Sequence, residues 1–327
     1  MRVLLVKIDG KMPNLALMKL SAWHKALGDQ VGLHIQSPDR VYISVIFKQN
    51  YPQAQGVVNF YPLADCFLGG PGLDEPNTLG AILGHLEIDD VMPDYGLFGC
   101  DFSMGFSMRG CFRNCPWCIV PRLEGAVRVG TPIEKFHHPD HKKIVLLDNN
   151  FFAGPNWRPT LKYIQDQGLK VNFNQGLDIR LMNEEMAGLL ADTKCYSWSF
   201  GTAMLYFAWD RMDIEAQVRK GIEMLLEAGI HHRRLTVYVL TGFNTTHTED
   251  LYRVMALKEY DIEPYIMVYN DRKDDQFLHH LERWVNGRLH RSVPDFGTYR
   301  YLSPSQRVEA KKILSGFKPR RLENESR

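Results

Sequence analysis

The chain has 327 residues, 45% hydrophobic, 24% charged and 11% aromatic, with 26 glycines and 17 prolines. That balance excludes disordered, collagen-like and coiled-coil classes and suits either two domains or one α/β barrel. Its 39 Lys and Arg against 38 Asp and Glu leave a formal charge of +1, so no overall field draws it to nucleic acid or an anionic membrane, and a polyanion would need a local patch.

Val3 to Val6 are the only apolar residues between Arg2 and Lys7, a shorter run than the roughly 7 to 15 of a secretory signal. The uncharged stretch 195–209 falls short of the roughly 18 to 20 residues that cross a bilayer. The expectation is a soluble, cytoplasmic protein with no membrane partner. Six cysteines are too sparse for a disulfide scaffold.

Residues 2–8 read as a buried strand. Residues 14–27 read as an amphipathic helix with Leu17, Leu20, Trp23 and Leu27 at helical spacing and Gly28 as its stop. Further strands are predicted at 41–47 and 64–68. The second ends in Gly69-Gly70-Pro71-Gly72, which lacks the spacing of a phosphate loop and reads as a turn. Residues 1–92 are therefore expected to form a small open α/β domain.

Beyond the link at 88–93, strands are predicted at 102–108, 143–147, 170–174, somewhere within 195–209, at 235–240 and at 264–269. Helices at 159–167, 183–191, 213–229 and 248–260 lie between most of them, the last with a start signal at Thr248 and Glu249. Six β/α units in series predict a partial (β/α)6, TIM-like barrel over residues 93–275. Residues 276–327 are expected to be a helical extension, with helices at 277–291 and 305–314. Residues 311–327 carry six basic and two acidic groups and read as a solvated terminus in preference to a nucleic-acid contact.

The residues that carry chemistry are Cys111-Phe112-Arg113-Asn114-Cys115-Pro116-Trp117-Cys118, a C-x3-C-x2-C directly after the first barrel strand. In such a barrel that position is the face where active sites sit. Three thiolates on one short loop can hold three irons of a [4Fe–4S] cluster and leave the fourth open to an outside ligand. The competing metal is zinc, with a fourth ligand from Cys100, Cys195, His137 or His138, but the second C-x2-C knuckle of a zinc ribbon is missing. Cys66 and Cys195 read as small core residues.

This loop, with Trp117 just before the last cysteine, resembles the signature of the radical SAM superfamily, and the resemblance extends over about residues 98–275. It implies that the amino and carboxylate groups of S-adenosylmethionine (SAM) chelate the open iron. Reductive cleavage would then give methionine and a 5′-deoxyadenosyl radical, with the electron supplied by an external donor such as flavodoxin or ferredoxin. It also implies site positions. Asp148, Asn149 or Asn150 would meet the SAM ammonium, Arg180 its carboxylate, and Gln175 and Asp178 ribose hydroxyls or substrate. Asp210, Gly242, Asn244 and Asn270 would complete the rim, with Gly242 and Asn244 where the family contacts adenine, and Trp117 is either a nucleoside contact or core packing.

The amino-terminal domain is similar to a reduced cobalamin-binding domain, except that Asp9-Gly10-Lys11-Met12 stands where a histidine ligand would be expected. Cobalamin is therefore not favoured, and cobalamin-dependent methyl transfer is the alternative within the same family. From another class, the alternative is a zinc-stabilised nucleic-acid-binding module. The substrate is not identified, and nucleic acid enters the leading reading only as a substrate.

Overall fold

Four parallel strands open the computed structural model, which describes residues 1–73, 87–272 and 274–317. They are β1 (Arg2–Lys7), β2 (Gln30–Gly32), β3 (Arg40–Ser44) and β4 (Asp65–Gly69), in the order β2-β1-β3-β4. Helix α1 (Leu15–Ala26) begins at Asn14, whose side chain accepts from Leu17 N–H and so satisfies a donor the first turn would leave open. It buries Leu17 and Leu20 with Val3, Leu5 and Tyr42. A second cluster joins Leu4, Val41, Ile43 and Val45 to Ala54 of α2 (Tyr51–Phe60). The sequence reading missed β2, which has three residues, and α2, which contains Pro52 and Gly56 and buries Ala54 alone. The Gly69–Gly72 segment is a turn folded against β3: a Cβ on Gly70, at φ +112°, would stand 2.3 Å from the Val45 carbonyl oxygen.

The chain divides into two compact units, residues 1–174 and 175–327. The first also holds a parallel sheet β5-β8-β9, made of β5 (Ser103–Gly105), β8 (Lys143–Leu146) and β9 (Lys170–Phe173), with α3 (Trp157–Asp166) between the last two. The expected strand at 102–108 breaks after Gly105. It resumes as β6 (Met108–Arg109), which pairs antiparallel with β7 (Arg128–Val129).

In the second unit, β10 (Leu205–Ala208), β11 (Leu235–Thr241) and β12 (Glu263–Val268) form a parallel sheet, and a parallel bridge from Leu177 to Phe207 adds to the β10 side. Its helices are α4 (Glu184–Asp192), α5 (Glu215–Glu227), α6 (His247–Glu259), α7 (Gln276–Asn286) and α8 (Pro304–Gly316). The start of α6 is a capping box between Thr246 and Glu249, two residues ahead of the expected Thr248. Helix α7 stops at Gly287, short of the expected residue 291. At its end the Asn286 carboxamide accepts from Ile266 N–H at 2.8 Å and donates to Ile266 C=O at 2.9 Å, covering the unpaired side of β12. The molecule is thus mixed α/β with parallel sheets, and no helix among the described residues is long and apolar enough to cross a membrane. The basic stretch 318–327 lies outside the described residues.

Candidate functional site

The pairing of β6 with β7 makes a neck through which residues 110–127, carrying all three cysteines of the motif, leave and return. Glu124 closes it by bonding Arg109 at 2.9 Å and Arg128 at 3.0 Å. The Arg109 guanidinium also lies 4.0 Å from the centre of the Phe106 ring. Gly110, at φ +74°, passes so close to the returning strand that a Cβ would stand 2.1 Å from the Ala126 carbonyl oxygen. Within the loop, Cys111 N–H donates to Gly125 C=O at 3.2 Å and Cys118 N–H to Cys115 C=O at 3.0 Å. Arg113 N–H donates to Cys111 Sγ at 3.3 Å. Cys111, Cys115 and Trp117 are half-buried, while Cys118, Phe112 and Ile119 are exposed.

The end of β8 holds this loop from the side. Asp148 accepts from Ser107 N–H at 2.7 Å and from the Ser107 hydroxyl, Asn149 Oδ1 accepts from Gly110 N–H at 2.9 Å, and Asn150 Nδ2 donates to Cys111 Sγ at 3.5 Å. Three consecutive side chains therefore fix three successive points on the way into the motif. Asp148 is buried, and burial pushes its carboxyl up to about 7 against the Ser107 bonds and the Arg109 charge, which favour the carboxylate. The break at Phe106–Ser107 has its cause here: Ser107 N–H goes to Asp148, not to a ladder.

The donor set suits a thiolate-held cluster in kind and number, with three thiols in eight residues, each with some access to the surface. Among the described residues, however, no three His, Cys, Asp or Glu side chains are arranged to hold a metal ion, so the loop is not a closed cage as it stands. Two of the four candidate zinc ligands have other surroundings. His137 has both ring nitrogens engaged, with the Tyr163 hydroxyl and the His141 carbonyl, each at 2.9 Å. Cys195 is fully buried with its thiol pushed up to about 12 by burial, the environment of a core residue. In the amino-terminal sheet, Asp9 is occupied by Ile46 N–H at 2.7 Å, Phe47 N–H at 3.0 Å and Asn50 Nδ2 at 2.9 Å.

Neither models of known protein families nor curated proteins match this chain.

In the second unit the expected rim residues have distinct local roles. Gln175 is exposed. Asp178 caps a short turn and takes Arg180 on both carboxylate oxygens, at 2.6 and 2.9 Å. Asp210 is pushed up to about 6 by burial and the nearby Asp178 charge, with Arg253 and Arg180 pulling the other way. Gly242 turns at φ +75°, with its N–H on Asp250 at 3.3 Å. Asn244 and Asn270, at φ +51° and +50°, are exposed residues in the left-handed region that asparagine tolerates, which accounts for that residue type at both strand ends.

The sequence reading missed Arg253. It lies within the apolar stripe of α6, is fully buried, and donates to the Trp209 carbonyl at 2.7 Å and the Leu240 carbonyl at 2.8 Å while pairing with Asp250. It thereby ties the ends of β10 and β11 together beside Asp210. An arginine between Leu251 and Val254 in an otherwise amphipathic pattern is the only sequence signal of it. Ser107 and Glu124, which fix the cysteine loop, carry no local signal.

Proposed function

We propose that the chain is a radical SAM enzyme whose β5-β8-β9 and β10-β11-β12 runs are successive β/α units of one partial TIM-like barrel. In this reading residues 1–92, 93–275 and 276–327 are its amino-terminal domain, barrel and extension. The observation that carries it is the cysteine loop at a parallel-strand end, its neck closed by Glu124 and its first cysteine bonded from β8. Cys111, Cys115 and Cys118 would hold a [4Fe–4S] cluster, which, once bound and reduced by an external donor of the flavodoxin or ferredoxin kind, supplies the electron that cleaves SAM.

The chain's own residues position and exclude. Asp148, Asn149 or Asn150 would meet the SAM ammonium, and the same three side chains hold Ser107, Gly110 and Cys111 on the way into the cysteine loop. Phe112 and Ile119 present apolar surface on the cysteine loop, suited to keeping water from a reactive intermediate. Arg180 is committed to Asp178, so a SAM carboxylate bound there has to displace that partner. Asp210 is a buried acid able to hold a proton near neutral pH next to Arg180. Trp117, Gln175, Gly242, Asn244 and Asn270 remain candidate SAM or substrate contacts. With Lys11 where a histidine ligand would be expected and the Asp9 carboxylate bonded to Ile46 N–H and Asn50, the amino-terminal domain is read as structural or substrate-facing, and cobalamin is not favoured.

The test is anaerobic reconstitution. Iron and sulfide should each approach about four per chain, and the reduced protein should convert SAM to 5′-deoxyadenosine and methionine. Cys111→Ala, Cys115→Ala and Cys118→Ala should each lose the cluster, while Cys195→Ala keeps it. Stoichiometric zinc without iron, or an intact cluster with a competent reductant and no 5′-deoxyadenosine, overturns the proposal.

A further inference from the structure

One face of the β10-β11-β12 sheet is lined by tyrosines. Side chains alternate along each strand, so Tyr206 on β10, Tyr238 on β11 and Tyr265 on β12 share a face, while Phe207, Val237, Val239 and Ile266 are buried on the other. The Tyr206 and Tyr238 rings are stacked, with centres 5.7 Å apart and planes 8° from parallel, and Tyr238 meets Tyr265 edge-on at 5.5 Å. The row continues up β12 through Met267 to Tyr269, whose ring packs against Phe243 at 4.8 Å, beside the rim residues Gly242, Asn244 and Asn270. Tyr265 is 44% and Met267 50% exposed, and Tyr206 and Tyr238 are half-buried. None of the Tyr206, Tyr238 and Tyr265 hydroxyls makes a hydrogen bond among the described residues.

Three arginines that follow this sheet's strand ends, or the bridging Leu177, are each paired. Arg180 is bonded to Asp178 at 2.6 Å, Arg211 to Asp213 at 2.7 Å and Arg272 to Asp274 at 3.2 Å, so each arginine is neutralised by an aspartate two residues away. A site for phosphate leaves cations uncompensated, and these arginines are not. A purely hydrocarbon ring would leave the three hydroxyls without partners, whereas a ring with nitrogen and oxygen on its edge offers them donors and acceptors. We propose that this tyrosine face binds an uncharged heteroaromatic ring of the substrate, of nucleobase type and presented as a nucleoside, not on a phosphate-bearing strand. As a statement about substrate this rests on the radical SAM reading; as a statement about binding it stands apart from the cluster.

The experiment is calorimetric titration of the full chain with guanosine and uridine, each beside its 5′-monophosphate, with and without saturating SAM, and with N-acetyltryptophanamide as an aromatic lacking nucleobase edges. At least one nucleoside should bind saturably, indifferently to salt and SAM, no more weakly than its monophosphate and more tightly than the tryptophan derivative. Tyr265→Leu, at an exposed position, should weaken it by about 5- to 150-fold, and Tyr238→Phe, which keeps the ring and removes the hydroxyl, by a smaller factor, with unchanged thermal melts for both. The proposal is overturned if neither nucleoside binds at millimolar concentration, if SAM displaces it, if the phosphate form is tighter and salt-sensitive, if the tryptophan derivative binds equally well, or if folded Tyr265→Leu binds normally. Failure of the radical SAM reading appears separately, as absent iron and absent 5′-deoxyadenosine, and leaves the titration standing.

Discussion

His247 shows how one side chain couples pH to the fold. Its Nδ1 lies 2.7 Å from Glu309 on α8, its Nε2 lies 3.0 Å from Asp275 at the start of α7, and its ring stacks on Phe277 at 4.1 Å. Burial works against the imidazolium, but the two carboxylates outweigh it and the net shift is upward. A group whose pKa is raised on folding contributes stability that is complete below its unfolded value, about 6.5, and is lost as pH rises through the folded value. The wild-type denaturation midpoint should therefore fall between about pH 6.5 and the raised pKa, and His247→Gln should flatten that part of the profile. Urea titrations across pH on both proteins check this, and parallel profiles would show that the imidazole carries no such charge. What is local can be read from a few neighbouring letters: the C-x3-C-x2-C spacing, and a helix that opens at residue 14, where the structure has Asn14 as the cap. The contacts that Asp148, Asn149 and Asn150 make with Ser107, Gly110 and Cys111 were not legible, because those partners lie 39 to 41 residues away and become neighbours only once β5 and β8 pair.

At the level of elements, α6 is tied to two strand ends by one buried pair. Arg253 satisfies the carbonyl of Trp209, just after β10, and that of Leu240 in β11, and is neutralised by Asp250, itself fully buried. Breaking one member of such a pair leaves the other charge stranded, whereas replacing both is far less costly. Arg253→Met should therefore lower unfolding stability by about 3 to 5 kcal/mol, and Arg253→Met combined with Asp250→Leu should recover part of the loss. The cost is read from urea denaturation, and strictly additive single effects would contradict a coupled pair. Most elements were legible, since β8, β9, β11 and β12 fall within one residue of expectation. What escaped was α2, whose stability is tertiary and which has a single fully buried residue, and the break that ends β5 at Gly105, where a side chain from elsewhere takes the Ser107 N–H.

Across the whole molecule, parallel sheets with helices between strands were foreseeable from the alternation of period-2 and helical segments. The tyrosine face was not, because alternating tyrosines read equally well as strand-forming residues turned toward a core. One remaining feature concerns what this protein does in company. A parallel sheet that ends at β12 offers its outer amides to any extended chain, and Asn286 fills that vacancy at Ile266 with a carboxamide that imitates a neighbouring strand. Asn286→Ala should leave catalysis-related residues untouched yet let copies join edge to edge, visible by light scattering as concentration-dependent association of an otherwise folded chain. A variant that stays as monodisperse as wild type would show that α7 alone blocks the edge. Association would make one amide at the end of a helix a terminator of polymerisation, a role that bears on survival in a crowded cell and not on chemistry at all.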